Sequence, residues 1–298
     1  MNLLITLYKK LTNWRWEVGF IDNTLHEIVT GDELCVHWVN LPFRDRWFAD
    51  PFILDYNDSE IVLLCEEYSD ELKRGRIAKV VVDRKSYELK SWKIILDCPT
   101  HLSFPRVVRK NGQVYIHPEN SASGCHTLYR YEQEKDELVE PRVICKEPLT
   151  DAVMLEDNEK SLLFSTYVPN PNGNVLSVYR GNEGGYVRSG EAIFDNNCAR
   201  MAGDFFRVGG KLYRPAQDCN GGYGKAVIIQ QAECDDKGLW TFRDVRRLES
   251  THPVLDWGLH TFNHYKDLIV IDVKGPRYPR TTKAIRFVKT LIQKLRRK

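Results

Sequence analysis

Asp50, Glu66, Glu67, Glu119, Asp151, Asp204 and Asp218 each stand where an apolar run begins or ends. Acidic side chains are poor strand formers, so their placement there needs a reason. Two carboxyl groups flanking a sugar, one protonated and one ionised, are what glycosidic-bond chemistry uses. Burial and mutual repulsion would raise the pKa of one of them. Asp50, Glu119, Asp151 and Asp218 are the candidate acids and bases. Trp47 and Phe48, just before Asp50, would shield that carboxylate and offer a flat face to a sugar ring. A second use of each residue stays open. Aspartate before Pro51 also serves turns, its carboxylate bonding backbone amides, and a glutamate at a strand end also simply faces solvent.

Cations accompany the acids. Arg106, Arg200 and Arg214 carry guanidinium forks that can clamp a phosphate, a carboxylate or vicinal hydroxyls. Arg200 and Arg214 can equally close structural salt bridges with Asp204 or Asp218. His101 and His260 each precede a strand, as catalysts or as hydrogen-bonded structural residues. With Trp47, Glu66, Glu67 and Gln217 they complete the candidate substrate contacts. The run Asn220-Gly221-Gly222-Tyr223-Gly224 lacks the frame of a phosphate loop, and neither a nucleophile elbow nor a dinucleotide fingerprint occurs. The eight cysteines form no C-x-x-C pair, and the aspartate-rich loops are too scattered to specify a divalent cation. No cofactor is expected beyond a nucleotide-sugar donor, no metal ligands are identified, and metal dependence stays open.

What must position these residues is a repeat. Five times a strand opens at a polar position, turns, and is answered by a second strand that closes on another polar residue. The segments run from Asp50 to Glu67, Pro105 to Glu119, Asp151 to Thr166, Gly203 to Asp218 and His260 to Asp272. Openings at Asp50, Pro105, Asp151, Arg200 and His260 lie 55, 46, 49 and 60 residues apart. That is the length of a four-stranded propeller blade with loop insertions. The fold class is therefore all-β: a five-bladed β-propeller over residues 1–275, followed by a basic tail over 276–298. Four blades are expected at 50–54, 60–66, 76–82, 90–96; at 105–109, 113–117, 126–131, 140–145; at 151–155, 161–166, 175–180, 186–193; and at 203–208, 211–216, 225–231, 239–246. The fifth has only 259–264 and 267–272 at the C-terminal end. Arg15 to Ile21 and Leu34 to Asn40 supply the missing strands and close the ring, leaving no long open sheet edge.

The remaining composition bounds location and partners. Ten of the 43 Lys and Arg fall between Lys274 and Lys298, where there is no Asp or Glu, so the rest carries 33 bases against 41 acids. Residues 281–297 read as an amphipathic helix, with Ala284, Ile285, Val288, Leu291, Ile292 and Leu295 on one face. Such a helix either lies on an anionic membrane, each basic residue near the lipid contributing about 1 kcal/mol, or packs on the ring. The first eleven residues make a poor secretory signal, and no stretch nears the ~18–20 apolar residues of a membrane span. Unpaired cysteines fit a reducing compartment. The expectation is a cytoplasmic protein, peripheral on the inner face of the membrane, with no nucleic-acid partner.

Trp47-Phe48-Ala49-Asp50-Pro51-Phe52, Glu66-Glu67, His101-Leu102-Ser103-Phe104-Pro105, Pro118-Glu119, Ala199-Arg200-Met201-Ala202-Gly203, Tyr213-Arg214-Pro215-Ala216-Gln217-Asp218 and Leu259-His260-Thr261-Phe262-Asn263 form an ordered series. The series resembles the N-terminal domain of plant glucosamine inositolphosphorylceramide transferases and their stand-alone bacterial relatives, across about residues 15–275. More distantly, Asp-Pro at an inner strand start resembles the five-bladed clan of arabinanases, xylosidases and fructosidases, in which three carboxylates from successive blades surround the sugar. That resemblance implies Asp50 as base or nucleophile and Glu119 or Asp151 at the later positions. The plant proteins carry a separate glycosyltransferase domain, so the propeller is either catalytic or an accessory. Three functions follow as expectations: transfer from a nucleotide sugar or similar donor to a glycan or glycolipid acceptor, glycoside hydrolysis by Asp50 and Glu119, or non-catalytic sugar binding beside a transferase. In the first, Asp50 activates the acceptor while Arg200 and Arg214 hold the charged leaving group.

Overall fold

A computed structural model of the chain describes residues 11, 13–157, 160–285 and 287. It contains five antiparallel four-stranded sheets. Blade one is β3 (Arg46–Tyr56), β4 (Glu60–Ser69), β5 (Arg74–Asp83) and β6 (Leu89–Leu96); blade two is β7 (Ser103–Lys110), β8 (Gln113–Glu119), β9 (His126–Glu132) and β10 (Glu137–Cys145). Blade three is β11 (Leu149–Asp157), β12 (Lys160–Tyr167), β13 (Val175–Asn182) and β14 (Gly185–Ile193); blade four is β15 (Phe206–Val208), β16 (Lys211–Asp218), β17 (Ala226–Cys234) and β18 (Trp240–Leu248). Blade five joins the two ends of the chain in the order β19 (Gly258–Tyr265), β20 (Leu268–Pro276), β1 (Trp14–Ile21) and β2 (Val36–Trp38). The β1–β20 seam runs from Trp14 opposite Pro276 to Ile21 opposite Ile269, so the expected closure is the observed one.

Apolar faces of adjacent blades pack on one another. Phe52 meets Phe104 edge-to-face at 4.9 Å across blades one and two, and Phe164 meets Trp240 at 5.1 Å across blades three and four. Near the inside, strands read as almost continuous buried runs (Phe48 to Leu54, Leu63 to Glu67, Leu212 to Asp218); the outermost strands β6, β10, β14 and β18 are mostly exposed or half-buried. This is the gradient that stacked sheets around a common axis require.

The polar openings of the repeat are bulges rather than plain strand starts. In β3, Ala49 pairs with Glu66 and Phe52 with Leu64, so Asp50 and Pro51 together oppose Cys65. The same two-against-one step recurs at Phe104-Pro105, Asp151-Ala152 and His260-Thr261. Asp50, Phe104 and Asp151 take φ of 49°, 44° and 46°, a left-handed region unfavourable for residues with a Cβ. Blade four has the widest interruption. Met201 bridges Ala216, Phe206 pairs with Tyr213, and β15 shrinks to three residues instead of the expected 203–208. A bulge re-aims side chains and ends pairing locally, here at the same level in every blade.

Two elements depart from the sequence expectation. A short helix, α1 (Leu25–Thr30), stands between β1 and β2; Thr24 and Glu27 cap each other reciprocally at its start. The C-terminal helix is present over 279–285 and at 287, and the rest of the expected 281–297 lies outside the described residues. Its buried contact is Thr282, whose hydroxyl donates to the Leu11 carbonyl at 3.3 Å, while Ala284 is exposed.

Gly203 lies against blade five, where Phe262 N donates to Ala202 O at 2.8 Å. A Cβ at position 203 would fall 1.9 Å from the Phe262 carbonyl oxygen. Gly203→Ala is expected to cost about 1–3 kcal/mol by forcing this backbone contact apart. Urea denaturation would check it, and an unchanged midpoint would count against the close packing.

Candidate functional site

The bulges turn backbone amides toward the axis, and carboxylates from the neighbouring blade receive them. Asp272, on β20, accepts Thr261 N at 3.0 Å in its own blade and Asp50 N at 2.8 Å in blade one. Asp50 accepts Phe104 N in blade two at 3.0 Å, and Glu119 of blade two accepts Asp151 N in blade three at 2.9 Å. From blade four, Arg200 Nε and Gln217 Nε2 reach Asp151 Oδ2 at 2.5 and 2.6 Å. Asn263 closes the circuit, accepting Asp204 N at 3.3 Å and donating to Pro51 O at 3.0 Å.

Two charged centres form within this circuit. In the first, the buried His260 ring sits between Asp272 (Nδ1 to Oδ1, 2.7 Å) and Asp50 (Nε2 to Oδ1, 3.1 Å). Burial alone would lower its pKa, but the two carboxylates outweigh it and push it up to about 10, so His260 is an imidazolium. Trp16 stacks on it at 3.8 Å. Glu66 stands beside this centre, pushed well above the usual carboxylate range by burial and then by Asp50. Its buried Oε1 has no hydrogen-bond partner, although His101 Nε2 lies 3.4 Å away. His101 Nδ1 accepts Gly75 N at 2.9 Å, which assigns the proton to Nε2, and burial lowers its pKa.

In the second centre Arg200 spans Asp151 and Glu119, its Nη2 3.4 Å from Glu119 Oε2. Burial and then the Asp151 charge raise Glu119 to about 8, against the pull of Arg200. Glu119 therefore holds its proton to higher pH than an ordinary glutamate. Each centre thus joins a carboxylate held by a cation to a neighbouring carboxyl whose pKa is raised. General acid–base chemistry at a glycosidic oxygen needs one of each.

Aromatic rings surround the opening. Trp47 stacks on Tyr68 at 4.7 Å and 1°, Trp14 packs on Trp47 at 5.5 Å, and Tyr223 lies edge-on to His260 at 5.3 Å and under the Arg200 guanidinium at 5.0 Å. Arg106 of blade two pairs with Asp204, just before β15, and donates to Met154 O of blade three at 2.9 Å.

Nine of the sequence-predicted residues therefore converge: Trp47, Asp50, Glu66, His101, Glu119, Asp151, Arg200, Gln217 and His260. Arg106 and Asp204 pair with each other. Three lie elsewhere. Glu67 points to the opposite face of β4 from Glu66 and is held by Arg46 at 2.9 Å and Arg76 at 2.9 Å. Arg214 is fully buried inside blade four, donating to Gln230, Ala199 O and Cys198 O between the rings of Phe194 and Phe242. Burial lowers its pKa to about 9, and none of its bonds leaves the blade. Asp218 is tied to Arg247 and Asn220 at the end of β16. Trp14, Trp16, Tyr68, Tyr223, Lys274 and Asp272 were missed. Of these, Asp272 had a signal: it closes the apolar run Leu268-Ile269-Val270-Ile271, as Glu66 closes the run Ile61 to Cys65.

Asp50, His260 and Asp272 also have the composition of metal ligands, with ligand atoms within 4.8 Å of one another. Both imidazole nitrogens already face carboxylates, an arrangement that favours a proton over a cation. On the surface, Asp22, Cys35 and His37 form a second such group, in which His37 Nε2 bonds Asp22 at 2.6 Å.

A family profile described as "Glucosamine inositolphosphorylceramide transferase 1, N-terminal" matches residues 28–247. The chain belongs to this family. Relatives include glucosamine inositolphosphorylceramide transferase 1 of Arabidopsis thaliana, 27% identical over 232 residues, and that of Oryza sativa subsp. japonica, 26% identical over 209. The matches cover 74% and 64% of this chain but only 29% and 27% of those proteins, so the chain spans less than a third of the curated relatives. Among solved structures, a β-1,3-galactosidase of glycoside hydrolase family 43 aligns with TM-score 0.55 and 8% identity over 71% of this chain and 82% of its own. An exo-1,5-α-L-arabinanase from a bovine ruminal metagenomic library aligns with TM-score 0.51 and 12% identity over 76% and 93%. At such identities the likeness is one of fold, the five-bladed propeller.

Removing the imidazolium leaves two buried carboxylates facing each other. His260→Phe is expected to lose about 3–5 kcal/mol at pH 7, and adding Asp272→Asn should restore part of it; urea denaturation measures both. Stability should also follow pH. The contribution of Glu119 is full below its ordinary 4.5 and lost as pH rises through about 8; that of His260 is full below 6.5 and lost through about 10. Melting temperature is thus expected to fall from pH 5 to 10, with the lower part of the fall reduced in Glu119→Gln.

Proposed function

We propose that this propeller is a carbohydrate-active module of glycosyl transfer, working in the assembly of a cell-surface glycolipid or polysaccharide. The observation that supports it most is the pairing, twice within one cluster flanked by aromatic rings, of a carboxylate held by a cation with a carboxyl whose pKa is raised. In this reading Glu119 gives its proton to the oxygen leaving the anomeric carbon. Asp50 takes the proton of the acceptor hydroxyl as the new C–O bond forms. Asp50 has the lone pairs to do so, since each of its oxygens accepts one bond at most. Arg200 stays on Asp151 and Glu119 rather than on a leaving group, and Arg214 takes no part.

The family supports a sugar donor and a glycolipid acceptor, because its named members are transferases acting on inositolphosphorylceramide. A second reading has its own support. Asp50, Glu119 and Asp151 are all under a tenth exposed and all bond backbone or guanidinium groups, as a non-catalytic sugar-binding propeller beside a separate transferase would allow. Hydrolysis ranks below both, resting on fold alone.

Membrane attachment at a cytosolic face is part of the proposal. It is supported by the ten cations of residues 274–298 and by eight free thiols. No helix among the described residues is long and apolar enough to cross a membrane.

Turnover of nucleotide sugars with lipid or glycan acceptors is the test. Glu119→Gln and Asp50→Asn should each lower the rate about 10²–10⁴-fold while sugar binding persists. Binding without turnover in the wild type would transfer the function to the accessory reading, and release of free sugar would mark a hydrolase. Deleting residues 281–298 is expected to abolish cosedimentation with anionic vesicles; unchanged sedimentation would remove the tail from the proposal.

A further inference from the structure

The cations around the cavity are matched by acids, with one exception. Arg200 is held by Asp151 and Glu119, His260 by Asp50 and Asp272, and Arg277 by Asp70. Lys274 is different. Its ammonium lies 4.4 Å from the ring centre of Trp14, 5.4 Å from Trp16 and 5.7 Å from Tyr223, and among the described residues it has no ion-pair or hydrogen-bond partner. Its backbone is fixed by the pairing of β20 with Trp16 and Gly258, so the side chain is held at the rim rather than swinging free. Three ring faces favour a cation there. Burial works against the charge, lowering the pKa below that of an ordinary lysine, with no carboxylate to offset it. A partly desolvated cation of this kind lacks an anion.

The site's acids sharpen the point. Burial and neighbouring carboxylates push Glu66 well above the usual carboxylate range and Glu119 up to about 8, which reduces the negative charge of the site. A sugar ring with an anionic substituent meets flat aromatic walls and one uncompensated ammonium.

We propose that Lys274 is the specificity residue of the cavity, selecting sugars that carry an anionic group, phosphate or carboxylate, over their neutral counterparts. This rests on the carbohydrate reading above. Lys274 is expected to touch the substituent directly, through charge-assisted hydrogen bonds that are about twice as strong as neutral ones.

Calorimetry on the full chain tests it with glucose, galactose, mannose and N-acetylglucosamine, their 1-phosphates, glucuronate and galacturonate. The wild type should bind at least one acidic sugar at least about tenfold tighter than its neutral parent. Whether the phosphates or the uronates bind tighter identifies the source of the anion. Lys274→Met, which keeps the apolar stem over the rings, should erase the preference while leaving neutral-sugar affinity unchanged; Lys274→Arg should keep it. Raising salt should weaken only the acidic ligands in the wild type, a reading that needs no variant. Equal affinity for acidic and neutral sugars, or a preference that survives in Lys274→Met, overturns the inference and leaves the carbohydrate reading intact. Failure of every sugar to bind overturns both.

Discussion

Every blade but the fourth breaks its innermost pairing with the same two-residue bulge, and a bulge amide without a partner is costly in a buried place. The chain answers with side-chain acceptors: Asp272 for blade one, Asp50 for blade two and Glu119 for blade three. Each bond crosses from one blade to the next, so the ring is stitched at the level where backbone pairing is interrupted. The positive φ values of Asp50, Phe104 and Asp151 belong to the same device. Strain of about 1–3 kcal/mol per residue persists only where the surroundings over-determine it, and here a side-chain carboxyl from the preceding blade fixes each amide.

Structure and chemistry consequently share one set of atoms. Carboxylates brought inward to receive amides sit close together, and their proximity with burial is what raises Glu66 and Glu119. Two cations accompany them: His260 between Asp50 and Asp272, and Arg200 on Asp151 and Glu119. The arrangement that closes the ring is already an acid–base site in outline. It also explains why a carboxylate here has two meanings at once: Asp50 is the acceptor for Phe104 N and, in the proposed reading, the residue that receives a proton from the acceptor hydroxyl.

How much of this was legible in the sequence depends on distance along the chain. Blade count and strand positions came from a repeat of apolar runs and turns, a local signal, and the shared fifth blade followed from two unpaired strands at each end. The bulges were visible only as polar residues opening each strand; their geometry depends on partners far away in sequence. Glu66 and Glu67 show the limit. Period-two alternation says that they face opposite ways, but not which one faces the axis. Arg214 and Arg200 present the same side chain in similar settings, and only packing separates a guanidinium absorbed by Cys198 and Ala199 carbonyls from one that reaches Asp151. The aromatic cluster was missed because Trp14 and Trp16 meet Trp47, Tyr223 and Lys274 only after the ends of the chain join. The helix α1 was too short for periodicity to show, although Thr24-Leu25-His26-Glu27 carried its capping signature.

Closure and site assembly are therefore the same event. Blade five supplies Trp14 and Trp16 from the start of the chain and His260, Asp272 and Lys274 from its end, while blade one supplies Asp50, which His260 and Asp272 engage. Until β1 pairs with β20, Trp16 cannot stack on His260, and the imidazolium lacks the apolar cover that strengthens its hold on Asp50. A ring closed by shared strands postpones its longest-range contacts to the last step, since loop closure over nearly the whole chain must come first. The cavity is thus built at the seam, and the two centres differ in kind. The Arg200 centre is made by blades two to four, within continuous sequence. The His260 centre exists only in the completed circle, and the proton acceptor assigned to Asp50 depends on it.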